Sequence, residues 1–191
     1  MTIVNPEAFF AVVRRDLFAG KMTQPQVDGC NAVLAGCEGW SFPWVAYGLA
    51  TAYHETARTM EPVAEIGKGD GHPYGLPGHN GGQIPYGRGY VQLTWDSNYE
   101  AMDRDLGLNG ALIADYDLAL QPDIAAKIMH YGMEHGSFTG VGLPNYLPTY
   151  KPATSQQFVG ARKVINGQDQ AIDIAGYASS FQTALTVGNW S

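Results

Sequence analysis

Apolar side chains recur every three or four positions along most of this chain, which is the spacing of amphipathic α-helices. Several of these segments begin with a capping residue near a proline, as in Asn5-Pro6 and Gln121-Pro122, which is a common signature of a helix start. The pattern predicts seven or eight helices. They are expected over residues 6–19, 24–37, 42–55, 98–108, 122–134, 158–165 and 170–185.

The third of these helices and the stretch that follows it organise the rest of the chain. Residues 42–53 are apolar on nearly every side, so this helix is expected to be central, and it runs into Glu55. In residues 86–95, a turn at 87–89 followed by alternating residues predicts a short antiparallel β-hairpin. The glycine-rich segment 67–82 has no apolar period and is expected to form a flexible rim over a cleft.

Together these elements predict one mainly α-helical domain of the α+β class over residues 1–191, with the hairpin beside the cleft. The chain has 18 Asp and Glu against 11 Lys and Arg, a net charge of −7 and a pI near 5.0, which argues against nucleic acid binding. The N-terminal residues lack the uninterrupted apolar core of a secretory signal, and no apolar run approaches the ~20 residues of a membrane span. We therefore expect a monomer made in the cytoplasm, without membrane insertion.

Metal and nucleophile chemistry find little support in the sequence. His54-Glu55 lacks the second histidine of a zinc-protease motif, because Arg58 stands in its place, and no GxSxG elbow is present. Cys30 and Cys37 fall in one predicted helix with their Cα atoms about 10 Å apart, too far for a disulfide, so two buried free thiols are expected. Neither a metal nor a cofactor is predicted. Paired carboxylates remain the strongest candidate chemistry.

Glu55 is the first candidate carboxylate. It lies at the C-terminal end of an apolar helix, where apolar surroundings and the negative end of the helix dipole both disfavour ionisation. That suits a general acid, which must keep its proton until the reaction. The alternative is a purely structural helix end, in which Glu55 pairs with Arg58 or Arg88. Glu61 and Glu65 are both candidates for a second carboxylate.

Four stretches of the sequence resemble a known family. HETA at 54–57 and YGRGYVQLTWDSNY at 86–99 resemble the pattern of glycoside hydrolase family 19, which includes chitinases and phage endolysins of the lysozyme-like superfamily. ARKVINGQDQA and IAGYASSFQTAL, between residues 161 and 185, resemble the closing Asn-Gly turn and the last helix of that family. The resemblance covers roughly residues 41–185 and implies a lysozyme-like catalytic domain.

The resemblance also assigns roles to individual residues. Glu55 matches the general acid and Glu65 the general base, with Glu61 left open as the base because the intervening loop is variable. The segment 67–82 differs from the corresponding loop of the plant chitinases, and the cysteines of those enzymes are missing. The remaining matches are polar or aromatic positions of the sugar-binding cleft, namely His54, Tyr86, Arg88, Gln92, Thr94, Asn98 and Asn166.

The mechanism that the resemblance implies is inverting hydrolysis. Glu55 protonates the glycosidic oxygen, and an ionised Glu65 activates a water molecule on the opposite face of the sugar. The two carboxyl groups should then lie about 6.5–9.5 Å apart, which leaves room for the water. Arg88 is expected beside the pair, where it would keep one carboxylate ionised, and Thr94 or Asn98 is expected to position the water.

Both candidate substrates are β-1,4 polymers of N-acetylated aminosugars. We expect peptidoglycan, because a chain without a secretion signal or disulfides suits a cytoplasmic, endolysin-like muramidase that reaches the cell wall through a separate pore. An acidic chain suits neutral chitin better than an anionic wall, so a chitinase acting on chitin oligosaccharides is the first alternative. The second alternative is a non-catalytic aminosugar-binding module, against which the presence of both glutamates argues.

Overall fold

The computed structural model describes residues 2–191. Within these residues the chain forms eight α-helices, four short 3₁₀ turns and one two-stranded antiparallel sheet, so the predicted mainly α fold with a small sheet is confirmed. No helix in this range is both long enough and apolar enough to cross a membrane. The α-helices are α1 (Pro6–Leu17), α2 (Gln24–Gly36), α3 (Phe42–Glu55), α4 (Asp96–Asp105), α5 (Ala111–Ala114), α6 (Pro122–His135), α7 (Ser155–Ala161) and α8 (Ala171–Val187). The strands are β1 (Val63–Ala64) and β2 (Arg88–Gly89), and the 3₁₀ turns are Pro73–Gly75, Tyr116–Leu120, Leu143–Asn145 and Arg162–Val164.

The central position predicted for α3 is confirmed. Every residue from Pro43 to Tyr53 is buried, because α8 packs along one side of α3 and α2 along another. The last helix, α8, also packs against α1 and α7 and so joins both ends of the chain to the centre. The end of α3 is therefore held in place by the packing of this helix, and Glu55 is the last residue of α3.

The segment that leaves α3 is held against α2 by a close backbone approach. Gly29 of α2 lies directly on the backbone of Met60, where a Cβ atom would overlap the carbonyl oxygen. Gly36 packs equally tightly on Ala126 of α6. Larger residues at these two positions would push α2 away from its neighbours. The path of the chain from Glu55 to β1 is thus fixed by packing on α2.

The predicted hairpin is present only in part, and its turn lies elsewhere. Residues 87–89, predicted as the turn, include strand β2, which pairs with β1 in the register Val63 to Gly89 and Ala64 to Arg88. The turn falls at residues 90–92, after which Leu93 returns to bridge Arg88. The alternation at 90–93 was misleading because Tyr90 and Leu93 are both buried by this tight turn.

Helix α4 begins without a capping hydrogen bond from a side chain. Thr94 and Ser97 are both plausible caps in the sequence, but the Thr94 hydroxyl donates to the carbonyl of Gln92 instead, with 2.7 Å between the oxygens. Trp95 occupies the capping position with a φ of 76°, and the helix starts at Asp96. A positive φ is rare for a bulky residue. The local conformation is therefore set by the turn that precedes the helix.

The helix predicted over 158–165 begins earlier and ends differently. Thr154 and Gln157 form a capping box, so α7 starts at Ser155. After Ala161 the chain continues as the 3₁₀ turn Arg162–Val164. This change of helix type immediately precedes the Asn-Gly turn of the family resemblance.

The two cysteines are free and buried, as predicted. Burial raises the pKa of the Cys30 thiol to about 12 and also raises the pKa of Cys37. Both thiols are therefore protonated near neutral pH. Neither is placed to act as a nucleophile, since the reactive form of cysteine is the thiolate.

Candidate active site

A cleft of about 480 Å³ lies where the end of α3 meets the small sheet. Two of its walls are the segment after α3 and strand β1, and the third is the turn after β2. Both leading carboxylate candidates reach it. Its lining residues are Glu55, Thr56, Ala57, Thr59, Val63, Ala64, Glu65, Ile66 and Gln92.

Glu55 is anchored by an arginine from the distant 3₁₀ turn. Nη1 of Arg162 donates to Oε1 of Glu55 over 2.7 Å, and the Arg162 side chain is 3% exposed. Nε of the same guanidinium donates to the carbonyl of Asp169 at 3.0 Å, which fixes its orientation. The Glu55 side chain keeps 16% of its surface exposed, towards the cleft. The carboxylate is thus bound by Arg162 on one side and is accessible from the cleft on the other.

This ion pair changes the electrostatic balance expected for Glu55. Burial and the end of the helix dipole disfavour a charged carboxylate, but a cation at hydrogen-bonding distance favours one. The role of Arg162 as the partner of Glu55 could not be predicted from the sequence, because the two residues are 107 positions apart. The only local signal is a basic residue that follows the buried stretch Phe158–Ala161.

Arg88 was expected to lie beside the two carboxylates and keep one of them ionised, but it pairs with Asp117 instead. Its guanidinium stacks on the ring of Tyr86 with 3.5 Å to the ring centroid and is 5% exposed. Nε donates to Asp117 at 2.7 Å, and Nη1 donates to the carbonyl of Ile84 and the hydroxyl of Tyr99. Among the described residues it makes no salt bridge with either carboxylate of the cleft. Arg88 therefore shapes the backbone beneath the cleft.

Glu65 follows β1 directly and is oriented by two donors. Oε1 accepts a hydrogen bond from the Tyr74 hydroxyl at 2.9 Å, and Oε2 accepts one from the backbone N–H of Gly87 at 3.0 Å. The backbone N–H of Glu65 donates to the carbonyl of Gly87, which extends the pairing of β1 with β2. Burial, together with the bond to Glu65, raises the pKa of the Tyr74 hydroxyl, so Tyr74 remains a donor.

Glu61 belongs to a different part of the surface. Its side chain is exposed, and it lines a separate groove of about 430 Å³ together with Asp28 and Tyr90. Thr59 and Val63 face the carboxylate cleft, whereas Met60, Glu61 and Pro62 face this second groove. The geometry therefore favours Glu65 over Glu61 as the partner of Glu55.

Aromatic side chains form a rim next to Glu65. The ring of Tyr74 stacks on His72 with a centroid distance of 4.9 Å and meets Trp95 edge-on at 5.3 Å. Trp95 is 45% exposed, which is unusual for so large an apolar side chain. Aromatic faces of this kind stack well on the apolar faces of sugar rings. The segment 67–82 thus contributes His72 and Tyr74 to this aromatic rim, and Tyr74 also donates the hydrogen bond to Glu65.

Three of the predicted sugar-site residues lie close together in the chain after strand β2, namely Gln92, Thr94 and Asn98. Gln92 lines the cleft itself, and its amide donates to the carbonyls of Val63 and Gly89 at 3.1 and 3.3 Å. The Asn98 amide donates to the carbonyl of Thr94 at 2.7 Å. These donors are engaged with the backbone, which fixes the side chains. The side-chain oxygens of Gln92, Thr94 and Asn98 are the groups that could still accept a hydrogen bond from a ligand.

The other predicted sugar-site residues are less closely associated with the cleft. His54 is half-buried and stacks on Tyr177 of α8 at 6.5 Å. Tyr86 is buried under Arg88 and offers its carbonyl to the Tyr99 hydroxyl at 2.9 Å. Asn166 is exposed, and its side-chain oxygen accepts from the N–H of Gly167 at 2.8 Å. Of these three, only His54 lies next to a residue of the cleft.

Comparison with solved structures identifies the fold. Chitinase C from Streptomyces griseus HUT6037 is similar over 99% of this chain and 78% of the chitinase chain, with 24% sequence identity and a TM-score of 0.60. A mutant of chitinase C is similar over 99% of this chain and 94% of its own, with 23% identity and a TM-score of 0.57. This chain has the chitinase C fold. The fold expected from the resemblance to family 19 is thereby confirmed.

Comparison by sequence finds no match for this chain. No protein-family model matches it. The curated proteins also yield no match. At identities of 23–24% the similarity to the chitinases concerns the fold, so the argument for a function rests on the geometry of the site.

No metal centre accompanies the cleft in the part of the chain that the structure describes. Residues 2–191 contain no group of three or more His, Cys, Asp or Glu side chains that could share a metal ion.

The far end of segment 67–82 is fastened to α4 by a polar cluster. Nε2 of His79 lies 2.5 Å from Oε1 of Glu100, and Asn80 donates to the same oxygen at 2.9 Å. The Asn80 amide also donates to the Tyr116 hydroxyl, which in turn donates to Asp96. These contacts fix one end of the segment whose middle presents Tyr74 to Glu65.

The His79 contact makes the stability of this segment depend on pH. The hydrogen bond to Glu100 raises the pKa of His79 above its ordinary value. A raised pKa in the folded state stabilises the fold at pH values below the unfolded pKa, about 6.5, and this contribution disappears as the pH rises through the folded pKa. We expect His79→Gln to lower the melting temperature more at pH 5 than at pH 8.5. His72→Gln, a change in the same segment, serves as the control, and an equal effect at both pH values would contradict the prediction.

Proposed function

We propose that this protein is a glycoside hydrolase that cleaves β-1,4 bonds in chitin and related polymers of N-acetylated aminosugars. The observation that carries the proposal is that Glu55 and Glu65 line one cleft, each held by its own hydrogen-bond donors. Two carboxyl groups facing one cleft are the minimal equipment for glycosidic bond hydrolysis. The similarity of the fold to a chitinase supports the same reaction class.

Glu55 is the proton donor in this proposal. Arg162 binds Oε1, and within residues 2–191 Oε2 has no hydrogen-bond partner, so Oε2 is free to face the glycosidic oxygen. Arg162 holds the Glu55 side chain in place before proton transfer and stabilises the carboxylate that remains afterwards.

Glu65 is the base that activates water. Both of its oxygens accept hydrogen bonds, from Tyr74 and from the backbone of Gly87, an arrangement that suits an ionised carboxylate. For inverting hydrolysis the two carboxyl groups must be about 6.5–9.5 Å apart, with the water between Glu65 and the sugar. Gln92, which lines the cleft, is one candidate to orient that water through its amide oxygen, and Thr94, whose hydroxyl donates to the Gln92 carbonyl, is another.

Chitin replaces peptidoglycan as the substrate that we favour. The sequence alone led us to expect peptidoglycan, but the two solved structures compared above are chitinases. A net charge of −7 also suits a neutral polymer better than an anionic cell wall. Peptidoglycan hydrolysis remains a second outcome of the test below.

The decisive experiment is a parallel assay of the purified protein on colloidal chitin and on permeabilised Gram-negative cells, with Glu55→Gln beside the wild type. Release of sugar from chitin by the wild type alone supports the proposal. Clearing of the cells without activity on chitin would make the protein a peptidoglycan hydrolase. Activity on neither, together with binding to chitin, would favour a non-catalytic aminosugar-binding module. Proton NMR of the first products tests inversion, which gives the α-anomer.

Tyr74→Phe is expected to slow the reaction without unfolding the protein. The change removes one hydrogen bond to the Glu65 carboxylate, and bonds to charged groups contribute about 1.5–3 kcal/mol, so kcat should fall about tenfold or more. The matched control is Tyr150→Phe, because Tyr150 is 97% exposed and lies outside the cleft. Steady-state kinetics on a chitin oligosaccharide would measure both, and equal kcat values would exclude a role for the Tyr74 hydroxyl.

A further inference from the structure

Two buried hydroxyl groups lie on α3 beneath Glu55 without a hydrogen-bond partner. In residues 2–191, four buried side-chain polar atoms lack one, and two of these are the hydroxyls of Tyr47 and Thr51. Residues 47, 51 and 55 are spaced by four, so these side chains and Glu55 share one face of the helix. Buried polar groups in folded proteins are almost always hydrogen-bonded, so these two hydroxyls require a partner.

The chain opposite this face is α7 and the turn that carries Arg162. The ring of Phe158 stacks on the ring of Tyr47 with 6.1 Å between centroids and 9° between planes. Arg162 follows Phe158 by one helical turn and reaches Glu55. The two segments thus touch at Tyr47–Phe158 and at Glu55–Arg162, and Thr51 lies on α3 midway between these contacts.

The Tyr47 hydroxyl is within electrostatic reach of the ion pair. Burial raises the pKa of this hydroxyl, the charge of Arg162 acts to lower it, and the charge of Glu55 acts to raise it. The Arg162 guanidinium has five N–H donors, and its hydrogen bonds to Glu55 and to the Asp169 carbonyl use two of them. Arg162 therefore retains N–H donors that neither Glu55 nor Asp169 uses, and the unpaired Tyr47 hydroxyl lies within its electrostatic reach.

We infer that Tyr47 and Thr51 are positioning residues that bind one internal water, and that this water accepts a hydrogen bond from Arg162. A buried water typically makes about three hydrogen bonds, which matches two hydroxyls and one guanidinium N–H. The water holds the guanidinium against Oε1 of Glu55 and so directs Oε2 into the cleft. The inference rests on the proposed function for its kinetic consequence, but the water site itself does not depend on it.

Two substitutions remove the hydroxyls with little change in shape, namely Tyr47→Phe and Thr51→Val. Each is expected to lower kcat about tenfold and to change KM by less than about twofold, because a displaced acid affects the chemical step more than binding. A looser Arg162 stabilises the Glu55 carboxylate less, so the alkaline limb of the kcat/KM profile should move to higher pH. Thr51→Ser keeps the hydroxyl and should restore the wild-type profile.

Tyr90→Phe is the matched control. Its hydroxyl is equally buried and also lacks a partner, but it lies near Cys30 and Glu61, away from the ion pair. Deleting a buried hydroxyl that binds water lowers stability in either place, but only the loss of the Tyr47 hydroxyl should move the alkaline limb of the kcat/KM profile. Tyr90→Phe should therefore keep the wild-type kcat and pH profile, and a high-resolution crystal structure should contain the water beside Tyr47, Thr51 and Arg162.

Wild-type kcat and an unmoved alkaline limb in both Tyr47→Phe and Thr51→Val would overturn the inference. Failure of the proposed function has a different signature, because the wild type would then hydrolyse no glycan. In that case the melting temperatures and the crystal structure still decide. A water between the two hydroxyls, together with a Tyr47→Phe variant that melts below the wild type, supports the site, and a Tyr47→Phe variant as stable as the wild type refutes it.

Discussion

Replacing Glu55 with glutamine is expected to lower kcat on chitin oligosaccharides by a factor on the order of 10²–10⁴, the usual contribution of a general acid. Glutamine has nearly the same shape and can still accept a hydrogen bond from Arg162 through its amide oxygen, but it has no proton to transfer. KM should change little, because the loss concerns the chemical step. The measurement is the initial rate of reducing-end release at saturating substrate.

The ion pair makes a stability control necessary for this variant. Glutamine leaves the buried Arg162 cation without its counter-ion, which we expect to cost about 1–3 kcal/mol of unfolding free energy. Rates should therefore be compared well below the melting temperature of the variant. Glu38→Gln, at an exposed position, is the matched control for loss of one negative charge. Turnover near the wild-type rate in Glu55→Gln would remove Glu55 from the chemistry.

Glu65→Gln is expected to be comparably damaging, again by a factor on the order of 10²–10⁴ in kcat. The amide cannot take a proton from water, but its oxygen can accept the hydrogen bond from the N–H of Gly87 and its NH₂ group can donate to the hydroxyl oxygen of Tyr74. The fold should therefore persist, which circular dichroism and thermal melting would check. The pH profile should lose its acidic limb, because that limb reports the ionisation of the base in the free enzyme.

Glu61→Gln is the sharpest comparison for this second prediction. Glu61 lies four residues before Glu65 but faces the groove with Asp28, so its replacement should leave kcat within about twofold of the wild type. If Glu61→Gln instead abolishes turnover while Glu65→Gln does not, the base is Glu61. The two variants carry the same charge change, so a difference between them reflects position alone.

The elements that depend on nearby residues were well predicted from the sequence. The starts of α1 and α3 were predicted correctly because a proline stands within the first two helical positions and a residue of the capping type precedes the helix. The central role of α3 followed from its continuous apolar stretch, and burial of every residue from Pro43 to Tyr53 agrees with it. The predicted position of the hairpin turn was wrong, because the tight turn at 90–92 buries Tyr90 in the same way as a strand would.

The candidate site was predictable where its residues belong to one motif. Glu55 ends a helix that the sequence reveals, and Glu65 follows it by ten positions. The sequence pattern favours Glu65 but does not exclude Glu61, because both belong to one short segment. The structure separates them, since alternate parts of that segment face two different grooves.

The sequence by itself determined the helical class of this protein and its central helix, and it pointed to Glu55 with either Glu65 or Glu61 as the candidate carboxylates. Only the tertiary structure separated Glu65 from Glu61 and decided the partners of the two carboxylates. Arg162 meets Glu55 across 107 positions, and Tyr74 meets Glu65 through a glycine-rich segment without periodic pattern. Local propensity encodes where helices begin, because capping and apolar spacing act over a few residues. Which charged side chain reaches which depends on how α3 packs against α7 and on how the segment 67–82 is fastened, and no short stretch of sequence contains that information.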